Sequence, residues 1–129
     1  MSARPSGPRP FFLNLLQIRL PIGGYVSILH RVTGAAMCLA VPLAVYVWML
    51  SLRSAADYAT VTDLLGGGLG WLIGMGLLWA LLHHFFAGLR HLGFDLGWGE
   101  DKATARATAW AVLGAGLGLT GLIALGSLL

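Results

Sequence analysis

Residues 83–95 read HHFFAGLRHLGFD and close a long apolar run that begins near Trp71. Three histidines and an arginine stand there among Leu, Gly, Phe and Trp. On a helix, His84, Gly88, His91 and Asp95 follow one another at i+4, i+3 and i+4 steps, so they share one face. Ionisable side chains within or at the mouth of a hydrophobic helix are costly and tend to mark a function. Gly88 leaves a backbone notch one turn from the His84 ring, which suits a flat guest. The stretch is therefore a candidate haem-binding helix, since haem asks for one or two axial imidazoles, an apolar slot and cations for its propionates. His84 lies deeper than His91 and is the better axial ligand to the iron. His91 is near the surface, suited to a propionate contact or to solvation. His83 points about 100° away from His84, toward a neighbour or the lipid boundary. No second axial ligand stands at matching depth, so a partner chain is expected to supply it.

A second polar group opens an earlier apolar run. Residues 27–34, SILHRVTG, place Ser27, His30, Arg31 and Gly34 on one helical face. Taken alone, Arg31 has an ordinary explanation as a snorkelling side chain among lipid headgroups. With Ser27 and His30 beside it, a polar pocket at the membrane edge is the better reading. The planar guanidinium donates several hydrogen bonds at fixed charge and suits a propionate, a phosphate or a quinone carbonyl. The ordinary reading of a lone histidine near a helix end is likewise a hydrogen-bonded packing residue. It is the company of His84, Gly88, His91, His30 and Arg31 that favours a ligand here.

These groups must be held by membrane helices. Of the 129 residues 57% are hydrophobic and 10% charged, where soluble domains carry about 25% charged residues. Mean hydropathy is +0.80. The length allows about three spans of roughly 20 residues, expected near residues 25–52, 69–92 and 107–129. A bundle so small is expected to pack on other subunits. The fold class is thus an all-α membrane protein of three transmembrane helices, part of a larger heteromeric helix bundle. The net charge of +3 reflects membrane topology rather than nucleic acid, because no basic patch interleaved with aromatics accompanies it. Cys38, the single cysteine, offers neither a disulfide framework nor a zinc cluster, which wants four close ligands. It reads as a small packing residue.

Residues 1–24 form an N-terminal cytoplasmic or interfacial segment. The first ten, MSARPSGPRP, hold three prolines and no acid, which argues against a signal peptide or an amphipathic transit helix. Pro21 with Gly23 and Gly24 allows a turn before the first span. Residues 54–63 read as a short polar connection, and residues 93–106 as a second one carrying Asp95, Glu100, Asp101, Lys102 and Arg106. Gly70 with Gly74, and Gly114 with Gly118 and Gly121, form small-xxx-small faces suited to close helix contact. Arg4, Arg9, Arg19 and Arg31 lie before or early in the first span, and Arg90, Lys102 and Arg106 around the second connection. The positive-inside rule then places the N-terminus and the second connection in the cytoplasm. His84 and the Ser27–Arg31 group fall toward that same side.

Two segments resemble the cytochrome b556 membrane-anchor subunit family of succinate dehydrogenase (respiratory complex II). Residues 9–34, RPFFLNLLQIRLPIGGYVSILHRVTG, are similar to the family's Arg-Pro, short apolar stretch and Ser-x-x-His-Arg-x-Thr/Ser-Gly. Residues 84–95, HFFAGLRHLGFD, are similar to its His-x3-Gly-x-Arg-His-x3-Asp. The resemblance implies a b-type haem shared with a second small three-helix anchor subunit, His84 being the axial ligand from this chain. It implies that Ser27 and Arg31 line a ubiquinone site, with His30, Arg31 and His91 near the haem propionates. Asp95 would take part in proton delivery to reduced quinone, with simple solvation an equal alternative. Succinate oxidation would fall to a flavoprotein subunit and electron transfer to an iron–sulfur subunit, for this chain has no nucleotide-binding glycine motif and no cysteine cluster. The implied location is the bacterial cytoplasmic (inner) membrane, ahead of the mitochondrial inner membrane. The rivals are a fumarate reductase anchor, a cofactor-free helix-packing subunit of another membrane complex, and a self-contained cytochrome.

Overall fold

The structure is a computed structural model that describes residues 19–129. The N-terminal segment inferred from the sequence therefore lies, up to residue 18, outside the described residues. Among those described there are four helices and no strand: α1 (Ile22–Ser51), α2 (Ala55–Gly66), α3 (Gly68–Asp95) and α4 (Lys102–Gly126). At 30, 28 and 25 residues, α1, α3 and α4 are about 45, 42 and 38 Å long. Each exceeds the roughly 30 Å of hydrocarbon in a bilayer, and each is apolar enough to cross it. The chain is an all-α, multi-pass membrane protein.

The first connection is not the plain polar loop that its composition suggests. Ser54 caps α2: its Oγ accepts from the Asp57 N–H at 3.0 Å and donates to Asp57 Oδ2 at 2.9 Å. This Ser-x-x-Asp pairing is a variant of the capping box, followed by eight residues free of Gly and Pro. At 12 residues α2 is about 18 Å long and too short to span. Gly67, in extended conformation, ends α2 and starts α3. Gly70 then packs on the Leu64 and Leu65 carbonyls, at the end of α2.

At the opposite end, the expected turn at Gly23 and Gly24 is helical instead. Pro21 is the N-cap of α1, and its carbonyl accepts from the Gly24 N–H at 2.8 Å. Gly23 serves close approach: a Cβ there would lie 3.3 Å from Arg90 Nη2. The second connection is also shorter than its polarity suggests. A Schellman motif closes α3, with Gly97 at φ 76° and N–H bonds from Gly97 to the Phe94 carbonyl and from Trp98 to the Gly93 carbonyl. Asp101 then caps α4 through the N–H groups of Ala103 and Thr104. Lys102 and Arg106 accordingly stand on the first turns of α4 rather than in a loop.

The core is small and built of small residues. Val26, Ala87, Ala109 and Val112 are buried together, with Ile22, Phe86 and Leu113 packed on them. Gly116 of α4 lies against the His83 backbone, where an added Cβ would sit 3.5 Å from the His83 Cα. The glycine faces singled out in the sequence largely do not make these contacts: a Cβ added at Gly74, Gly114, Gly118 or Gly121 would meet no other element within 4 Å among the described residues. Large apolar side chains instead cover the outside of every span, as a lipid or subunit environment requires.

The spacing at Gly116 yields a graded expectation. A methyl group meets His83 at ordinary contact distance, so Gly116→Ala should leave the thermal midpoint of the detergent-solubilised protein unchanged or raised. Gly116→Leu should overpack the α3/α4 seam at a cost of about 1–3 kcal/mol, seen as a lowered midpoint.

Candidate functional site

The α1/α3 seam brings together three of the four histidines. His84, half-buried on α3, directs Nδ1 to the backbone carbonyl of His30 on α1 at 2.9 Å. A carbonyl can only accept, so Nδ1 carries the proton and Nε2 keeps its lone pair. The His30 ring stacks on His84 with centroids 4.1 Å apart and planes at 22°. His91 follows, its ring 5.1 Å from that of His30 and tilted by 39°. The imidazoles thus form a column running toward the Asp95 end of α3.

A glycine on each helix faces the column, and the one on α1 is required by it. A Cβ at Gly34 of α1 would lie 2.7 Å from His84 Cε1, closer than real Cβ contacts come. A Cβ at Gly88 of α3 would lie 3.6 Å from His30 Nε2. Each helix therefore presents a histidine to the other's glycine. The notch at Gly88 is real, and His30 is the ring seated over it. The Thr33 hydroxyl, buried on α1, bonds back to the Leu29 and His30 carbonyls.

The other residues singled out in the sequence are placed differently. Ser27 is half-buried, and Arg31 and Asp95 are exposed. Among the described residues no side-chain hydrogen bond joins them to the histidine column. His83 does not face the lipid: it is 0% exposed, packed on Gly116 and stacked on Trp79 with centroids 5.4 Å apart. Both its ring nitrogens, like Trp79 Nε1, are buried without a hydrogen-bond partner among the described residues.

Arg90 carries more structure than its sequence context indicated. Its Nε donates to Thr108 Oγ1 at 3.1 Å and its Nη2 to the Ala105 carbonyl at 3.0 Å. The guanidinium also lies 4.3 Å from the Phe94 ring centroid, a cation–π contact. It ties the end of α3 to the start of α4 and, at Gly23, to the start of α1. The signal available for it was an arginine one residue before His91, hence about 100° round the helix from the histidine face.

Chemically, the seam offers one oriented imidazole whose Nδ1 is engaged and whose Nε2 is available, flanked by two more rings. His84 and His30 stack with His91 tilted beside them, and among the described residues no group of three or more His, Cys, Asp or Glu is placed to hold a metal ion. The arrangement suits a single axial bond, not a polydentate metal centre.

A sequence-family model described as "Succinate dehydrogenase/Fumarate reductase transmembrane subunit" matches residues 5–123. The chain belongs to that family. Among its relatives, the succinate dehydrogenase cytochrome b556 subunit of Paracoccus denitrificans is 33% identical over 107 residues, covering 83% of this chain and 82% of the relative. The subunit of the same name from Coxiella burnetii is 36% identical over 106 residues, covering 81% and 84%. The succinate dehydrogenase cytochrome b560 subunit of Reclinomonas americana is 34% identical, covering 82% and 77%. As a member of the succinate dehydrogenase/fumarate reductase family, the chain is a membrane subunit of an enzyme complex.

The two seam glycines separate in their expected effects. Gly34→Ala forces the His84 ring to move, whereas Gly88→Ala meets His30 at ordinary contact distance. Imidazole 15N spectra of selectively labelled protein should show the Nδ1-protonated His84 tautomer in the wild type and in Gly88→Ala. Gly34→Ala should shift or split that signal.

Proposed function

We propose that this chain is a membrane-anchor subunit of a succinate:quinone oxidoreductase, that it binds haem b through His84, and that it forms part of the ubiquinone-reduction site. The observation that carries the reading is the bond from His84 Nδ1 to the His30 carbonyl at 2.9 Å. Histidines that ligate a metal characteristically donate their other ring N–H to a carbonyl or carboxylate, which fixes the tautomer and raises the basicity of the ligating nitrogen. His84 has that partner, lies eleven residues from the end of α3 and hence about 16 Å below it, and keeps Nε2 for the iron. The relatives' cytochrome b names agree with it. Bound haem supplies one-electron exchange.

The protein residues then have distinct tasks. His84 would hold the haem iron from this chain through Nε2, and a second small membrane-anchor subunit would supply the other ligand. His30 and His91 line the pocket toward the propionates, and Arg31 balances their charge. Ser27 and Arg31 orient the quinone headgroup by hydrogen bonds, and Asp95, at the aqueous end of α3, delivers protons to it. The outward direction of Arg31 supports a site completed by other subunits. Succinate oxidation and electron delivery belong to a flavoprotein and an iron–sulfur subunit of the same assembly. The relatives' names favour succinate oxidation over the fumarate-reducing direction. The basic residues favour the cytoplasmic face of a bacterial inner membrane for this end of the bundle.

Two substitutions test the reading in the purified complex. His84→Leu should abolish the b-type signal in a dithionite-reduced minus oxidised spectrum; an unchanged spectrum moves the ligand elsewhere. Arg31→Leu removes a charge-assisted donor worth roughly 1.5–3 kcal/mol. It should lower kcat/KM for quinone by about 10- to 100-fold, while succinate oxidation with a soluble dye as acceptor stays at the wild-type rate.

A further inference from the structure

Away from the histidine seam, the starts of α1 and α4 enclose an open groove of about 790 Å³. Its walls include Pro21, Ile22 and Tyr25 on one side and Lys102, Arg106 and Trp110 on the other, with Arg90 at its floor. A second groove of about 560 Å³ runs along the far side of Lys102, Arg106 and Trp110. Those three residues follow at i, i+4 and i+8 and form one stripe on α4, from the helix start to about 12 Å along it. Of the three cations, only Arg90 is held by hydrogen bonds among the described residues. Asp101, next to Lys102, has its carboxylate committed to capping α4. Trp110 and Tyr25 are 56% and 50% exposed.

We propose that this stripe and its two grooves are a binding site for an anionic phospholipid, the phosphate resting on Lys102 and Arg106 and the acyl chains entering the apolar grooves beside Trp110. The order of chemistry along α4 matches a lipid read from water inward: ammonium, guanidinium, then indole, the side chain that settles at the headgroup level of membranes. Two like charges one turn apart on a helix repel, and a shared phosphate reverses that sign. The residues preceding the groove are the wrong charge to fill it, for residues 1–18 carry Arg4 and Arg9 and no acid. An acidic protein surface would meet the cations equally well but would have no use for apolar clefts on both sides of them.

The test uses the assembled complex in mild detergent, with spin-labelled phosphatidylglycerol or spin-labelled phosphatidylcholine added to the micelles. Electron paramagnetic resonance then measures the motionally restricted fraction of each lipid. The expected result is a preference for phosphatidylglycerol that falls about fivefold for each cation removed, through Lys102→Gln and Arg106→Gln, and that survives Arg106→Lys. Raising the salt concentration on the wild-type complex should weaken the preference without any substitution, so the question stays open to measurement if a variant fails to assemble. Equal restriction of the two lipids in the wild type overturns the proposal. So does an unchanged preference in Lys102→Gln/Arg106→Gln, and so does loss of the soluble subunits with lipid preference intact, which would make the stripe a protein-docking surface.

Discussion

The interlock of His84 over Gly34 and His30 over Gly88 is the contact on which the rest of the bundle depends. In a bilayer, apolar side chains gain nothing by leaving lipid for one another, so helices associate through close packing and through hydrogen bonds. The α1/α3 seam uses both. The glycines bring the helices close enough for a side-chain nitrogen on one to reach a main-chain carbonyl on the other, 2.9 Å away. That single bond orients the ring, selects its tautomer and sets the register of α1 against α3. An alanine at position 34 would remove the space, and with it the register.

Much of this was legible in the sequence, for reasons that differ by residue. Three apolar runs of the right length announce three spans, because the bilayer imposes a length on any helix that crosses it. The shared face of His84, Gly88 and His91, and that of His30 with Gly34, follow from helical periodicity alone. What periodicity does not give is the partner of each face. Gly88 read as a notch for a guest is occupied by His30, and the glycine nearest to the His84 ring is Gly34. The fate of His83 was hidden for the same reason, since an angle on one helix says nothing about which neighbour lies there. Gly116, the glycine that receives the His83 backbone, stands between Gly114 and Gly118, whose spacing drew the eye but which face outward. Helix α2 was obscured by its polarity. Its Ser-x-x-Asp cap was the available signal, and in a chain this apolar a polar stretch is easily taken for a loop.

The distribution of burial shows where the chain relies on others. Within the most apolar stretch of α1 only 6% of residues are buried inside the chain, against 17% in α3 and in α4. Yet α1 carries the half-buried Ser27 and His30 and the exposed Arg31. A charged residue on the least covered helix is consistent with a surface that another subunit closes, and membership of a family of enzyme-complex subunits points the same way. The structure of one chain gathers the imidazoles, while among the described residues no side-chain hydrogen bond joins Ser27, Arg31 or Asp95 to them. Arg31 and Asp95 are exposed, free to meet what lies beyond the chain.

Arg90 links the two regions at this end of the bundle. It stands one residue before His91, so the same turn of α3 presents an imidazole to α1 and a guanidinium to α4. The bonds of that guanidinium to Thr108 and Ala105 tie it to the start of α4, and the start of α1 passes close to it at Gly23. The basic groove and the histidine column therefore share α1 and the end of α3. A half-buried arginine in a membrane bundle is costly unless its donors are met. Here two of its five N–H donors reach a hydroxyl and a main-chain oxygen, and no carboxylate pairs with it among the described residues. The cation is thereby retained as a net positive charge beneath the Lys102–Arg106 stripe, where an ion pair would have cancelled it.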